Sequence, residues 1–179
     1  MKCLIHAPLL LFPVALLGAA GPRLLVSPIE GLRVSDLHDS FRERHSTAHH
    51  RAIDLMAPRG TPVRAVVDGI IEKLTTNSAG GITIYQYDKK KVYCYYYAHL
   101  NAYVEDLQEG MRVVRGEIIA YVGSTGNASP DAPHLHFAVS RLGSRKRYWK
   151  GRPINPYPLL VRLLRGSGLA QAAPALHTQ

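Results

Sequence analysis

Pro58, Gly60 and Pro62 crowd one short stretch. A proline inside a helix removes an amide donor and clashes with the carbonyl one turn back, so a helix is barred across residues 52–64. The chain beyond has the punctuation of short strands. Val63–Leu74 is rich in β-branched residues and is split by Asp68-Gly69, which predicts a hairpin. Gly80-Gly81 opens a strand over Ile82–Tyr87, Asp88–Lys91 makes a charged turn, and Val92–His99 returns as a second strand. Gly110 begins a further strand pair turning at Arg115-Gly116 and running on through Ile118–Val122, and His134–Ser140 is the last strand. Short strands at regular spacing predict an all-β, hairpin-rich sandwich or barrel with little helix.

Gly60-Thr61-Pro62-Val63 before Asp68-Gly69 is echoed by Gly110-Met111-Arg112-Val113 before Arg115-Gly116. Lipoyl and biotinyl carrier domains share this punctuation, but they need a lysine at a hairpin tip. Neither turn has one, which argues against a carrier.

The chain has 179 residues, enough for one domain with tails. Lys2, the apolar run Leu4–Leu17 and the small residues Gly18–Gly21 have the layout of a secretory signal. The run is shorter than the roughly 20 apolar residues of a membrane-spanning helix. Residues 1–20 therefore read as a signal peptide, which predicts an exported protein of the periplasm, cell envelope or extracellular space. Residues 21–48 read as an extended lead-in, 49–160 as the folded domain and 161–179 as a disordered tail. Beyond the signal Cys94 is the only cysteine, so an intrachain disulfide and a cysteine-rich zinc module are both excluded. Any metal must be held by His, Asp or Glu.

Three short segments carry the chemistry. In His50-Arg51-Ala52-Ile53-Asp54 an extended chain would put His50 and Asp54 on one face across the small Ala52, with His49 facing away. In His134-Leu135-His136-Phe137-Ala138-Val139 the two imidazoles share a strand face, and Leu135, Phe137 and Val139 line the other. His99 ends the Tyr-rich strand in Tyr97-Ala98-His99-Leu100 and, alone, reads as a core histidine. There is no His-Glu-x-x-His helix, so a thermolysin-like architecture is excluded.

Taken together and in this order, the segments resemble the lysostaphin- and LytM-type zinc metalloendopeptidases, a group of peptidoglycan hydrolases. The resemblance runs from about Phe41 to Leu160. It includes His50 to Asp54, the adjoining Ala57–Val63 with Asp68-Gly69, and Tyr97–Leu100. Gly123-Ser124-Thr125-Gly126 before His134–Phe137, and Ile154-Asn155-Pro156, complete it. It implies an antiparallel sheet with a zinc cleft on one sheet, Zn²⁺ held by His50, Asp54 and His136, and His99 and His134 as a catalytic pair whose separate roles stay open. Ala52 stands where the family usually has glycine, and Asn127–Ala132 lengthens the loop before His134. The implied substrates are the peptides of bacterial peptidoglycan. A rival reading is a non-catalytic module that activates another wall hydrolase; the presence of all five site residues argues against it.

The formal charge is +9. Arg141, Arg145, Lys146, Arg147, Lys150 and Arg152, with Tyr148 and Trp149 among them, form a basic segment suited to an anionic wall polymer or membrane surface. Export argues against nucleic acid as the partner.

Overall fold

The computed structural model describes residues 22–24, 26–45, 48–148 and 150–171. The expected signal peptide, Trp149 and residues 172–179 lie outside them. After a 3₁₀ turn at Val34–Asp36, strands β1 (Arg44–His45) and β2 (Ala48–His49) pair in a small ribbon. Nine further strands form one antiparallel sheet: β3 (Ile53–Met56), β4 (Pro62–Arg64), β5 (Gly69–Asn77), β6 (Gly81–Asp88), β7 (Tyr93–Tyr103), β8 (Arg112–Val113), β9 (Ile118–Val122), β10 (His134–Leu142) and β11 (Gly151–Ile154). Helix α1 (Tyr157–Gln171) follows. The all-β expectation with little helix is met. No described helix is long and apolar enough to cross a membrane.

The sheet runs β11-β10-β7-β6-β5-β8, with β3 beside the first half of β10, β9 beside the end of β7, and β4 on β9. Side-chain alternation divides it into two faces. Leu135, Phe137 and Val139 of β10 and Tyr95 and Tyr97 of β7 enter the main core with Ile53, Leu55, Ile71 and Ile84. The opposite face carries His134 and His136, and further along a small cluster of Tyr87, Cys94 and Leu142. Tyr97 brings a hydroxyl into the main core, and Gln86 accepts its proton at 2.7 Å while the Val66 amide donates to it at 3.2 Å. Buried polar groups paired in this way avoid a desolvation penalty of about 1–3 kcal/mol.

Two predicted hairpins do not form. β4 and β5 flank Asp68-Gly69 but do not pair; β4 pairs with β9 and β5 with β6 and β8. Likewise β8 and β9 flank Arg115-Gly116 and separate. The two repeated segments pair crosswise instead. The Gly60 amide donates to Val122 O at 2.8 Å, and the Gly110 amide donates to Ile71 O at 2.7 Å, both glycines at φ +86°. Crossing buries Val63, Ile71, Val113 and Ile119 against one core, whereas two local hairpins would leave each two-sided strand half exposed. Strand β11 and helix α1 also went unread in the sequence. The disordered tail expected from residue 161 is corrected as far as 171: α1 continues through it, anchored by fully buried Leu160 with Tyr157, Leu159 and Leu163 against the core.

Candidate metal centre and catalytic cleft

The register of β3 against β10 sets Asp54 directly opposite His136, and the register of β7 sets Ala98 on the other side of His136. The small Ala98 leaves room above the sheet, and Asp54 Oδ1 lies 3.1 Å from His136 Nδ1. His50 reaches the same point by a route that alternation does not describe. Arg51 has φ +56°, so the chain turns there rather than running extended from His50 to Asp54. The turn delivers His50 Nε2 to 3.1 Å from Asp54 Oδ1 and 3.0 Å from His136 Nδ1. Neighbouring His49 instead sets Nδ1 3.2 Å from Arg42 O and only borders the cleft.

His50, Asp54 and His136 are thus a group able to hold a metal ion. Their three donor atoms form a triangle with edges of 3.0–3.1 Å. A tetrahedral ion with ligands at about 2.0–2.1 Å spaces them roughly 3.3–3.4 Å apart. Little movement separates the two. Two imidazoles and one carboxylate also leave a fourth position for water, as a hydrolytic site requires. Burial raises the cost of charging Asp54, but hydrogen bonds from His136 and His50 outweigh it and hold the carboxyl well below the usual carboxylate range. Burial also lowers His50, yet the Asp54 hydrogen bond and charge leave it raised. His136 is lowered, with burial the main cause.

His99 joins this group through an irregularity. Ile82 pairs with Leu100 and Ile84 with Tyr97, so two residues of β7, Ala98 and His99, face one of β6. His99 sits in this bulge at φ +58°. Alternation would send its ring to the core beside Tyr97; the bulge re-aims it to the cleft. There its ring centroid is 4.9 Å from that of His134 and 5.5 Å from that of His136. His99 Nδ1 lies 2.8 Å from Thr125 O, and His134 Nδ1 lies 2.8 Å from Ala132 O. A carbonyl only accepts, so both Nδ1 atoms carry the proton and both Nε2 atoms present lone pairs. Burial lowers the His99 pKa, and nearby His136 and His134 add to the shift.

These residues line a cleft of about 510 Å³. Tyr96 also lines it, with its ring in an edge-type contact with His136 at 5.9 Å between centroids. Ala79-Gly80 and Asn127-Ala128-Ser129 are its walls, so the lengthened loop does shape the cleft. The five predicted site residues are all brought together. Three contributors went unread in the sequence. Tyr96 shares the alternation of Ala98 and could have been placed by it. Thr125, within the Gly-Ser-Thr-Gly motif, supplies its carbonyl to His99. Ser40, whose carbonyl and Oγ lie 3.2 and 3.1 Å from His50 Nδ1, gave no signal.

A fold of this kind with a histidine–aspartate–histidine triangle defines a class, and the family model agrees: residues 48–156 match Peptidase family M23, and the chain belongs to that family. The glycyl-glycine endopeptidase ALE-1 of Staphylococcus capitis is 41% identical over 90 residues, covering 50% of this chain and 24% of that protein. The crystallised catalytic domain of lysostaphin from Staphylococcus simulans superimposes with a TM-score of 0.54 at 31% identity, over 63% of this chain and 79% of that one. A zinc-containing peptidase from Vibrio cholerae gives a TM-score of 0.56 at 26% identity, over 73% of this chain and 38% of that one. The chain spans 24–34% of the length of the first curated relatives it matches.

Proposed function

We propose that this chain is a zinc-dependent endopeptidase that hydrolyses peptide bonds of bacterial peptidoglycan, with His50, Asp54 and His136 as metal ligands and His99 and His134 as catalytic residues. The observation that carries the reading is the 3.0–3.1 Å donor triangle with the His99–His134 pair beside it in one cleft. Zinc, when bound, polarises a carbonyl and brings the pKa of a water down to roughly 7. The chain's own residues do the rest. With Nδ1 pinned to Thr125 O and Ala132 O, the two Nε2 atoms accept a proton from the attacking water or, once protonated, donate to the oxyanion or the leaving amine. Such positioned acid–base groups typically contribute about 10²–10⁴-fold. Asp54, well below the ordinary carboxylate range, stays ionised throughout.

The substrate class is supported by family membership and by the likeness to ALE-1, a glycyl-glycine endopeptidase. Export, through the signal layout of residues 1–20, fits a wall substrate. The exposed basic side chains of β10 (Arg141), of the β10–β11 connection (Arg145, Lys146, Arg147 and Lys150) and of β11 (Arg152) suit an anionic wall polymer or membrane surface. The test is metal content together with digestion of purified peptidoglycan. We expect one zinc per chain and release of new amino termini by the metal-loaded protein but not by His136→Ala. A loaded wild type that releases none would sink the enzyme reading.

A further inference from the structure

We infer that the turn at residues 38–43 is a working part of the metal site, with Ser40 the positioning residue for His50 and an Asp39–Asn155 clamp holding Ser40 in place. This deepens the zinc reading and rests on it. The His50 side chain is only 6% exposed, and its Nδ1 faces Ser40 O at 3.2 Å and Ser40 Oγ at 3.1 Å. Because the carbonyl only accepts, His50 keeps a proton on Nδ1. Nε2, which donates to Asp54 Oδ1 at 3.1 Å, is then the nitrogen that would give up its proton to a metal. Partners of this kind fix a ligand's tautomer and direction, and losing them typically weakens metal binding about 10–100-fold.

The turn that carries Ser40 is itself tied at three points. The His50 amide donates to Glu43 O at 2.9 Å and the Arg51 amide to Phe41 O at 3.0 Å. From the other side, Asn155 Nδ2 donates to both carboxylate oxygens of Asp39 at 3.1 Å. Asn155 Oδ1 meanwhile accepts the Tyr157 amide at 2.9 Å, at the start of α1. The Asn-Pro segment after the last strand therefore reaches His50 through Asp39 and Ser40. Asp39 and Ser40 lie outside the residues that match the family model, 48–156. Among the described residues, none from 22 to 45 lines the cleft.

The test is zinc affinity of the full chain, read by competition with a chromophoric chelator. Asn155→Asp keeps the acceptor for the Tyr157 amide but sets a carboxylate against Asp39. It should weaken zinc binding by about 10-fold, and adding Asp39→Asn should restore affinity to within about twofold by reversing donor and acceptor. Asp39→Ala, which removes an exposed side chain, should weaken binding likewise even where Asn155→Asp folds poorly. Zinc affinity unchanged in Asp39→Ala, or a reversed pair that folds yet stays weak, overturns the clamp. A wild type that binds no zinc overturns the metal site itself.

Discussion

At the scale of single residues, the proposed mechanism divides the site into groups that would hold the metal and groups that would transfer protons. Removing a holder and removing a proton-transfer group should look different. His136→Ala takes away one corner of the donor triangle, and we expect metal binding and hydrolysis to be lost together, by mass spectrometry of bound metal and by amine release. His134→Ala should keep stoichiometric metal and lose about 10²–10⁴-fold in kcat. Equal loss of metal in both would contradict the assignment. The pH profile tests His99. Burial lowers its pKa, so it stays neutral, and able to accept a proton, to below the ordinary histidine value of about 6.5. The acid limb of kcat/KM that His99→Gln removes should fall below pH 6.5, on the acid side of a solvent-exposed imidazole. A limb above that value would show that another group governs activity.

At the scale of elements, the β7 bulge and the loop after β9 act as one piece. Thr125 Oγ1 donates to Leu100 O at 2.7 Å and accepts the Ile82 amide at 2.9 Å, while Thr125 O accepts from His99. Gly126 packs so closely on β6 that an added Cβ would overlap the Gly81 nitrogen and the Ala79 carbonyl, and its φ is +74°. Gly126→Ala should therefore force the loop off the sheet. The left-handed conformation alone costs about 1–2 kcal/mol for an L-residue, and the overlap adds to it. We expect a lower Tm and a loss of kcat larger than that of Gly143→Ala, which meets open space. Similar effects from the two would mean that the interlock does not position His99.

At the scale of the whole molecule, α1 closes the core, and the basic surface is the feature that would guide approach to the proposed wall substrate. Leu160→Ala removes a fully buried side chain and should cost about 2–5 kcal/mol, measured by chemical denaturation. The pairing of β10 with β11 places Arg141 directly across from Arg152, a like-charge pair that is unfavourable unless an anion lies nearby. Reversing Arg145 and Lys150 to Glu should weaken binding to intact walls at low salt and leave hydrolysis of a small soluble peptide unchanged. The effect should fade as salt shortens the screening length to about 10 Å at 0.1 M.

Much of this was legible in the chain itself. Pro58, Gly60 and Pro62 excluded helix, glycine and β-branched spacing gave strands, and a period of two put His134 and His136 on one face with Leu135 and Phe137 opposite. Those are local rules of backbone geometry, and the sequence by itself was enough for them. Local rules failed where the partner was distant. Asp68-Gly69 and Arg115-Gly116 read as hairpins, yet the strands beside them pair crosswise, because the gain lies in a shared core that no local segment can see. His50 and His99 both reach the cleft by way of a residue at positive φ, one through the turn at Arg51 and one in its own bulge, and alternation describes neither. Ser40 shows the limit most plainly. Its residue type predicts nothing, and its contact with His50 exists only because tertiary packing brings the lead-in against His50 and against the segment before α1.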